Sequence, residues 1–201
     1  MRDFPKVICN EKAARLLRSG HPWVYGEETR GPEGTYANGD IVDVYTEKDR
    51  WMGAGFINDA SKIRVRVSSR NTNDRFDEAF WRRRIEHAVA YRRTAMGEAD
   101  FRCCRLIFGE ADSFPGFTVD RFEDVLVTDV LSLGIELRKD MLYRLLRGTL
   151  ELSGGEVGMT LSREQGNAVL SSAIGCDAMA IVPAGSGPLA PGTKLKGFML
   201  R

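Results

Sequence analysis

The stretch Lys62-Ile63-Arg64-Val65-Arg66-Val67 alternates without a break. Ile63, Val65 and Val67 fall on one side of an extended chain and Lys62, Arg64 and Arg66 on the other, because successive side chains of a strand point to opposite faces. One apolar and one cationic face predict a half-buried strand in a sheet with a solvated side. Upstream, residues 51–57 read as a second strand, with Gly53 and Gly55 inside it. Residues 40–45 place Ile41, Val42 and Val44 among acidic residues, and 5–9 form a short apolar run. Residues 11–19 carry Ala14, Leu16 and Leu17 and end at Gly20, which is placed as a helix C-cap. Several short strands with one short helix predict a compact β-barrel-like unit over residues 1–72.

Beyond it the texture changes. Residues 74–96 read as a long helix, with Phe76, Phe80, Trp81, Ile85, Ala88, Val89 and Met96 forming a helical stripe that Arg92 interrupts. Residues 102–108 read as a strand, and 117–122 and 125–131 as a hairpin turning at Glu123-Asp124. Residues 136–150 form a second amphipathic helix through Leu137, Met141, Leu142, Leu145, Leu146 and Leu150. The expected fold class is therefore α+β, with a barrel over 1–72 and a small helix–strand–helix unit over 73–150. Residues 151–201 are rich in glycine and proline and predict a short C-terminal β segment, with strands near 179–182 and 195–200.

Composition narrows the function only by exclusion. The chain has 201 residues, with Lys plus Arg 29 and Asp plus Glu 28, a net charge of +1. A global basic field is absent, so any nucleic-acid binding must come from local clusters of charge. The four cysteines (Cys9, Cys103, Cys104 and Cys176) form no C-x-x-C pair, and His21 and His87 are far apart, so no metal site is expected. No apolar window reaches the roughly 18 residues of a membrane helix, and no signal peptide opens the chain. The expectation is a cytoplasmic protein with reduced thiols and no membrane partner.

Two clusters can serve RNA. His21-Pro22-Trp23-Val24-Tyr25 places an imidazole and two aromatics beside the helix residues Arg15 and Arg18, a set able to stack on bases and hold phosphate. The Lys62, Arg64 and Arg66 ladder can track a phosphate backbone; a solvated strand face neutralised by nearby acids accounts for it equally. The candidate RNA-binding residues are thus Arg15, Arg18, His21, Trp23, Lys62, Arg64 and Arg66. Arg82-Arg83-Arg84, with Arg92 and Arg93, reads as a solvated helix face in which Glu78 and Glu86 can pair at four-residue spacing. Glu110 and Asp112 can in principle do acid–base work, but a turn before Pro115-Gly116 accounts for them. No catalytic residue is assigned. No glycine-rich loop follows a strand and opens a helix, so no Rossmann methyltransferase domain and no bound cofactor are expected in this chain.

Several runs resemble the RlmI-type family of class I S-adenosylmethionine-dependent rRNA methyltransferases, which make 5-methylcytosine in the large ribosomal subunit. They are Gly20-His21-Pro22-Trp23-Val24-Tyr25, Asn38-Gly39-Asp40-Ile41-Val42-Asp43-Val44, Gly53-Ala54-Gly55-Phe56-Ile57-Asn58, Ile63-Arg64-Val65-Arg66-Val67, and the long segment from Arg105 to Arg121 that includes Gly109-Glu110-Ala111-Asp112-Ser113-Phe114-Pro115-Gly116. The resemblance covers about residues 1–150. It implies an RNA-binding PUA domain followed by a small α/β domain that cradles substrate. It also implies that the S-adenosylmethionine site and the catalytic cysteine belong to a further, Rossmann-like domain. The implied partner is ribosomal RNA; a homodimer, or a partner chain that supplies a catalytic domain, is the further expectation.

From about 163 to 200, Gly166-Asn167-Ala168-Val169-Leu170-Ser171, Ala178-Met179-Ala180-Ile181-Val182-Pro183 and Leu189-Ala190-Pro191-Gly192-Thr193-Lys194 resemble the C-terminal β-domain of MoeA-type molybdopterin molybdenumtransferases. That second resemblance implies a molybdenum cofactor biosynthesis fragment.

Overall fold

The structure is a computed structural model that describes residues 3–123, 125–150, 178–181 and 196–199. The barrel is a six-stranded sheet built from β1 (Lys6–Cys9), β2 (Trp23–Tyr25), β3 (Thr29–Glu33), β4 (Ile41–Thr46), β5 (Trp51–Ile57) and β6 (Ile63–Ser69), in the order β2-β6-β5-β4-β1-β3. All neighbours are antiparallel except β1 and β4, which are parallel. A 3-10 turn, Gly26–Glu28, joins the two edge strands. Its Gly26 N–H donates to Lys62 O on one side, and Glu28 O accepts from Asn10 N–H on the other. This turn carries the chain from one edge strand to the other.

Helix α1 (Glu11–Arg18) covers one side of this sheet. Asn10 caps it by accepting from Ala13 N–H at 3.0 Å. Gly20 follows with φ +104, the left-handed conformation that ends a helix. Ala13, Ala14 and Leu17 pack into the barrel core with Val7, Val24, Val42, Val44, Ile57, Val65 and Val67. Alternation on β6 is as read: Val65 and Val67 point inward, while Arg64 and Arg66 lie on the other face. Lys62 falls one residue before the strand. Gly55 is required by close approach, because a Cβ there would overlap the backbone carbonyl of Arg66.

The second unit begins with α2 (Glu78–Ala95), capped by Asp77, whose carboxylate accepts from Phe80 N–H at 2.8 Å. Phe76, expected inside the helical stripe, lies before the helix at φ +59. It still buries its ring against Phe80 and Trp81. A short helix α3 (Glu98–Phe101) leads into a three-stranded antiparallel sheet of β7 (Cys103–Phe108), β8 (Phe117–Phe122) and β9 (Val125–Val130). The helix expected over 136–150 is divided into α4 (Leu133–Glu136) and α5 (Lys139–Leu150), and Leu137 at the break is exposed rather than part of the stripe. The break lets Arg138 fold back and donate to Gly39 O at 2.9 Å and to Gly134 O at 2.8 Å.

The two units share one apolar cluster. Ile41, Ala54 and Phe56 of the barrel join Phe80, Trp81, Ile85, Phe114, Phe117, Leu142 and Leu146 of the second unit. Phe56 and Trp81 stack at 5.9 Å. Strands β10 (Ala178–Ile181) and β11 (Lys196–Met199) pair antiparallel, close to the positions expected from the sequence. The rest of the segment 151–201, including Cys176 and most of the residues that carry the molybdenumtransferase resemblance, lies outside the described residues.

Candidate nucleic-acid interface

Cross-strand pairing brings the two sequence clusters together. Trp23 on β2 stands opposite Arg66 on β6, so their side chains share a face. The Arg66 guanidinium lies 5.5 Å from the Trp23 ring centroid, and the His21 ring meets Trp23 edge-on at 5.4 Å. Arg70 donates to His21 O at 3.2 Å. His21, Trp23, Arg66 and Arg70 therefore form one patch beside the C-terminal end of α1.

The 3-10 turn Gly109–Asp112 fastens this patch to the second unit. Glu110 Oε1 accepts from Trp23 Nε1 at 2.9 Å and from Arg66 at 3.2 Å. Asp112 takes a bidentate bond from Arg92 of α2, at 2.7 and 2.6 Å, and also accepts from Phe108 N–H. Ser113 O accepts from Ser68 of β6 at 2.8 Å and from Arg84 of α2 at 3.0 Å. Left-handed backbone at Gly109 (φ +50), Ser113 (φ +62) and Gly116 (φ +74) bends the chain tightly enough for these groups to face different neighbours. Both carboxylates are thereby committed to ion pairs. Sequence reading treated Glu110 as part of an ordinary turn. The only local signal for its role was the density of Gly, Asp, Ser and Pro around it.

The seven candidate residues divide by what holds them. Arg64 is half-buried and pairs with Asp59 at 2.7 Å, also donating to Thr29 Oγ1 at 3.0 Å. Tyr36 donates to the same Asp59 at 2.6 Å. The Tyr36 hydroxyl, followed by Arg64, holds the Asp59 carboxyl below the usual carboxylate range, and the hydrogen bond to Asp59 holds the Tyr36 hydroxyl above its ordinary range. Arg66 is paired with Glu110, and Arg18 with Glu11. Trp23 is half-buried and pinned by Glu110. Arg15 and Lys62 are exposed and make no ion pair among the described residues. The ladder is therefore not a row of three free cations: two of the three are neutralised by carboxylates on neighbouring loops. Of these clusters, Arg15, Lys62 and Arg70 are exposed and His21 is half-buried.

Residues 7–70 match the family model of a PUA-like domain. Curated relatives extend the likeness further along the chain. Proteins named ribosomal RNA large subunit methyltransferase I are 31% identical over 136 residues in Klebsiella pneumoniae and 36% identical over 132 residues in Shewanella amazonensis. These alignments cover 68% and 66% of this chain but 34% and 33% of the relatives, so the chain spans about a third of the length of the curated relatives it matches. Among solved structures, a protein described as a SAM-dependent methyltransferase from Streptococcus mutans superposes with a TM-score of 0.62. It is 15% identical and covers 73% of this chain and 38% of its own. At that identity the likeness concerns the fold.

The PUA-like barrel thus agrees with the front half of the first resemblance. The molybdenumtransferase resemblance of 163–200 receives no support from these matches. Among the described residues, no strand leads through a glycine-rich turn into a helix. No group of three His, Cys, Asp or Glu is placed to hold a metal, and no helix is long and apolar enough to cross a membrane, again among the described residues.

Proposed function

We propose that this chain supplies the RNA-recognising part of a cytosine-5 methyltransferase of large-subunit ribosomal RNA, acting in the cytoplasm. The PUA-like match over residues 7–70 carries this reading, because it falls on the barrel that presents Arg15, His21, Lys62 and Arg70 to solvent. The second unit, joined to the barrel through Glu110 and a shared core, extends the RNA-facing surface. Methyl transfer belongs to a Rossmann-like unit that binds S-adenosylmethionine and carries the catalytic thiol, supplied outside the described residues or by a partner chain.

The test is the affinity of the full chain for a labelled rRNA fragment over a salt series, with Arg15→Gln/Lys62→Gln for comparison. Phosphate contacts release counterions, so binding must weaken as salt rises, with a slope near −0.7 to −0.9 per phosphate engaged. The variant is expected to bind several-fold more weakly with a shallower slope. Absence of salt-dependent binding by the wild-type chain sinks the reading.

A further inference from the structure

A second basic cluster lies on α2, facing the opposite end of the 109–113 turn. Arg83, Arg84 and His87 share one side of the helix, at spacings of three and four residues. With Asp74, Asp112 and Ser113 they line a cleft of about 420 Å³ that opens to solvent. The charges in it are not balanced. Asp112 is occupied by the bidentate bond from Arg92. Asp74 accepts from Ser69, and its carboxylate stands 3.6 Å from Arg83 and 3.8 Å from Arg84, too far for good hydrogen bonds. Two guanidiniums therefore stand near a single carboxylate, with the exposed His87 imidazole lining the same cleft.

Arg84 spends one N–H on Ser113 O, and a guanidinium has five to give. Burial also pushes Arg84 below its ordinary value, so an anion that neutralises it offsets a desolvation cost already incurred. Arg83 and His87 are exposed at the rim.

We propose that this cleft binds a phosphodiester of the RNA backbone. The assignment rests on the RNA-recognition reading above and extends it from the barrel to α2. The turn supplies the geometry: Glu110, which holds Trp23 and Arg66, is three residues from Ser113, which holds Arg84. Three residues span at most about 11 Å, so the barrel patch and the cleft flank one short segment of chain. A strand lying across the turn contacts His21 and Arg70 on one side and Arg83 and His87 on the other.

The experiment compares the full chain with Arg83→Gln/His87→Gln, leaving Arg84 in place because it holds the turn. Both substituted side chains are exposed, and the Arg83–Asp74 pair contributes little to stability, so equal melting temperatures are expected. Binding of a labelled single-stranded rRNA fragment is followed by anisotropy across a salt series. The His87 ring resonances are followed by NMR with RNA and, separately, with inorganic phosphate. The variant is expected to bind several-fold more weakly, with the salt slope shallower by about 0.7 for each phosphate no longer engaged, and RNA is expected to shift His87 in the wild type. If the variant binds with unchanged affinity and slope, the cleft assignment is overturned while the barrel reading stands. If the wild-type chain binds no RNA, the recognition reading fails, and the cleft assignment with it. A His87 response to phosphate alone marks a site for a free anion and overturns the backbone assignment.

Discussion

The Trp23 indole N–H donates to the Glu110 carboxylate at 2.9 Å across 87 residues of sequence, and this bond fastens an edge strand of the barrel to the turn between β7 and β8 of the second unit. Arg66 shares the same oxygen. A hydrogen bond to a charged acceptor contributes about 1.5–3 kcal/mol. Trp23→Phe is expected to destabilise the chain by roughly that amount, and Glu110→Gln by a similar amount. In a double-mutant cycle followed by urea unfolding, the two losses should be less than additive, because either substitution removes the same bond. Additive losses would show that the bond contributes nothing.

The Arg92–Asp112 pair is more deeply placed, with side chains 12% and 15% exposed. Removing one member leaves a charge in a site with little water, which costs about 3–5 kcal/mol. Asp112→Ala also orphans the Phe108 N–H, which donates to the same carboxylate. Asp112→Ala is therefore expected to lower stability by about 3 kcal/mol or more. The exposed pair Arg82–Glu78, broken by Arg82→Ala, should change it by less than about 1 kcal/mol. Thermal melts of the two variants side by side provide the check.

Gly134 lies against the Phe56 ring, which an added Cβ would penetrate. Gly134→Ala must displace α4 from β5 and carry Arg138 away from Gly39 O. An overpacking cost of about 1–3 kcal/mol is expected, with near-UV circular dichroism changing because Phe56 stacks on Trp81. Gly148→Ala, where nothing lies within 4 Å of the new Cβ, should be neutral or slightly stabilising in the same measurements.

The Tyr36–Asp59–Arg64 group links stability to pH from both sides. Asp59 titrates lower in the folded chain than in the unfolded one, so its contribution is present above the ordinary carboxylate range and is lost as pH falls through the folded value. Tyr36 is raised, so its contribution is present below the ordinary phenol range near 10 and is lost as pH rises through the folded value. Tyr36→Phe removes the main cause of both shifts. The difference in melting temperature between wild type and variant should be greatest near neutrality and shrink at both extremes. A difference independent of pH would assign Tyr36 a packing role only.

Much of the fold was legible because it rests on local periodicity. The alternation of residues 63–67, the strand at 51–57, the helix read over 11–19 with Gly20 as its C-cap, and the hairpin read over 117–131 all depend on side-chain spacing that the chain carries in itself. The glycines at 53 and 55 could be read as lying within a strand, but the need for them comes from how closely β5 approaches β6. Strands β2 and β3 escaped notice because they are short edge strands whose pairing partners are distant in sequence.

The sequence by itself determined that this is an α+β protein with a strand-rich front, and it nominated the aromatic and basic residues of the barrel. Tertiary structure alone decided which of those charges are spent. A cation's availability depends on the carboxylate that folding places beside it, so Arg64 and Arg66, identical in pattern to Lys62, are neutralised by Asp59 and Glu110, while Lys62 and Arg15 face water. Glu110 itself acquires its role only when residues 23, 66 and 110 meet, a coincidence of long-range packing that no local pattern encodes.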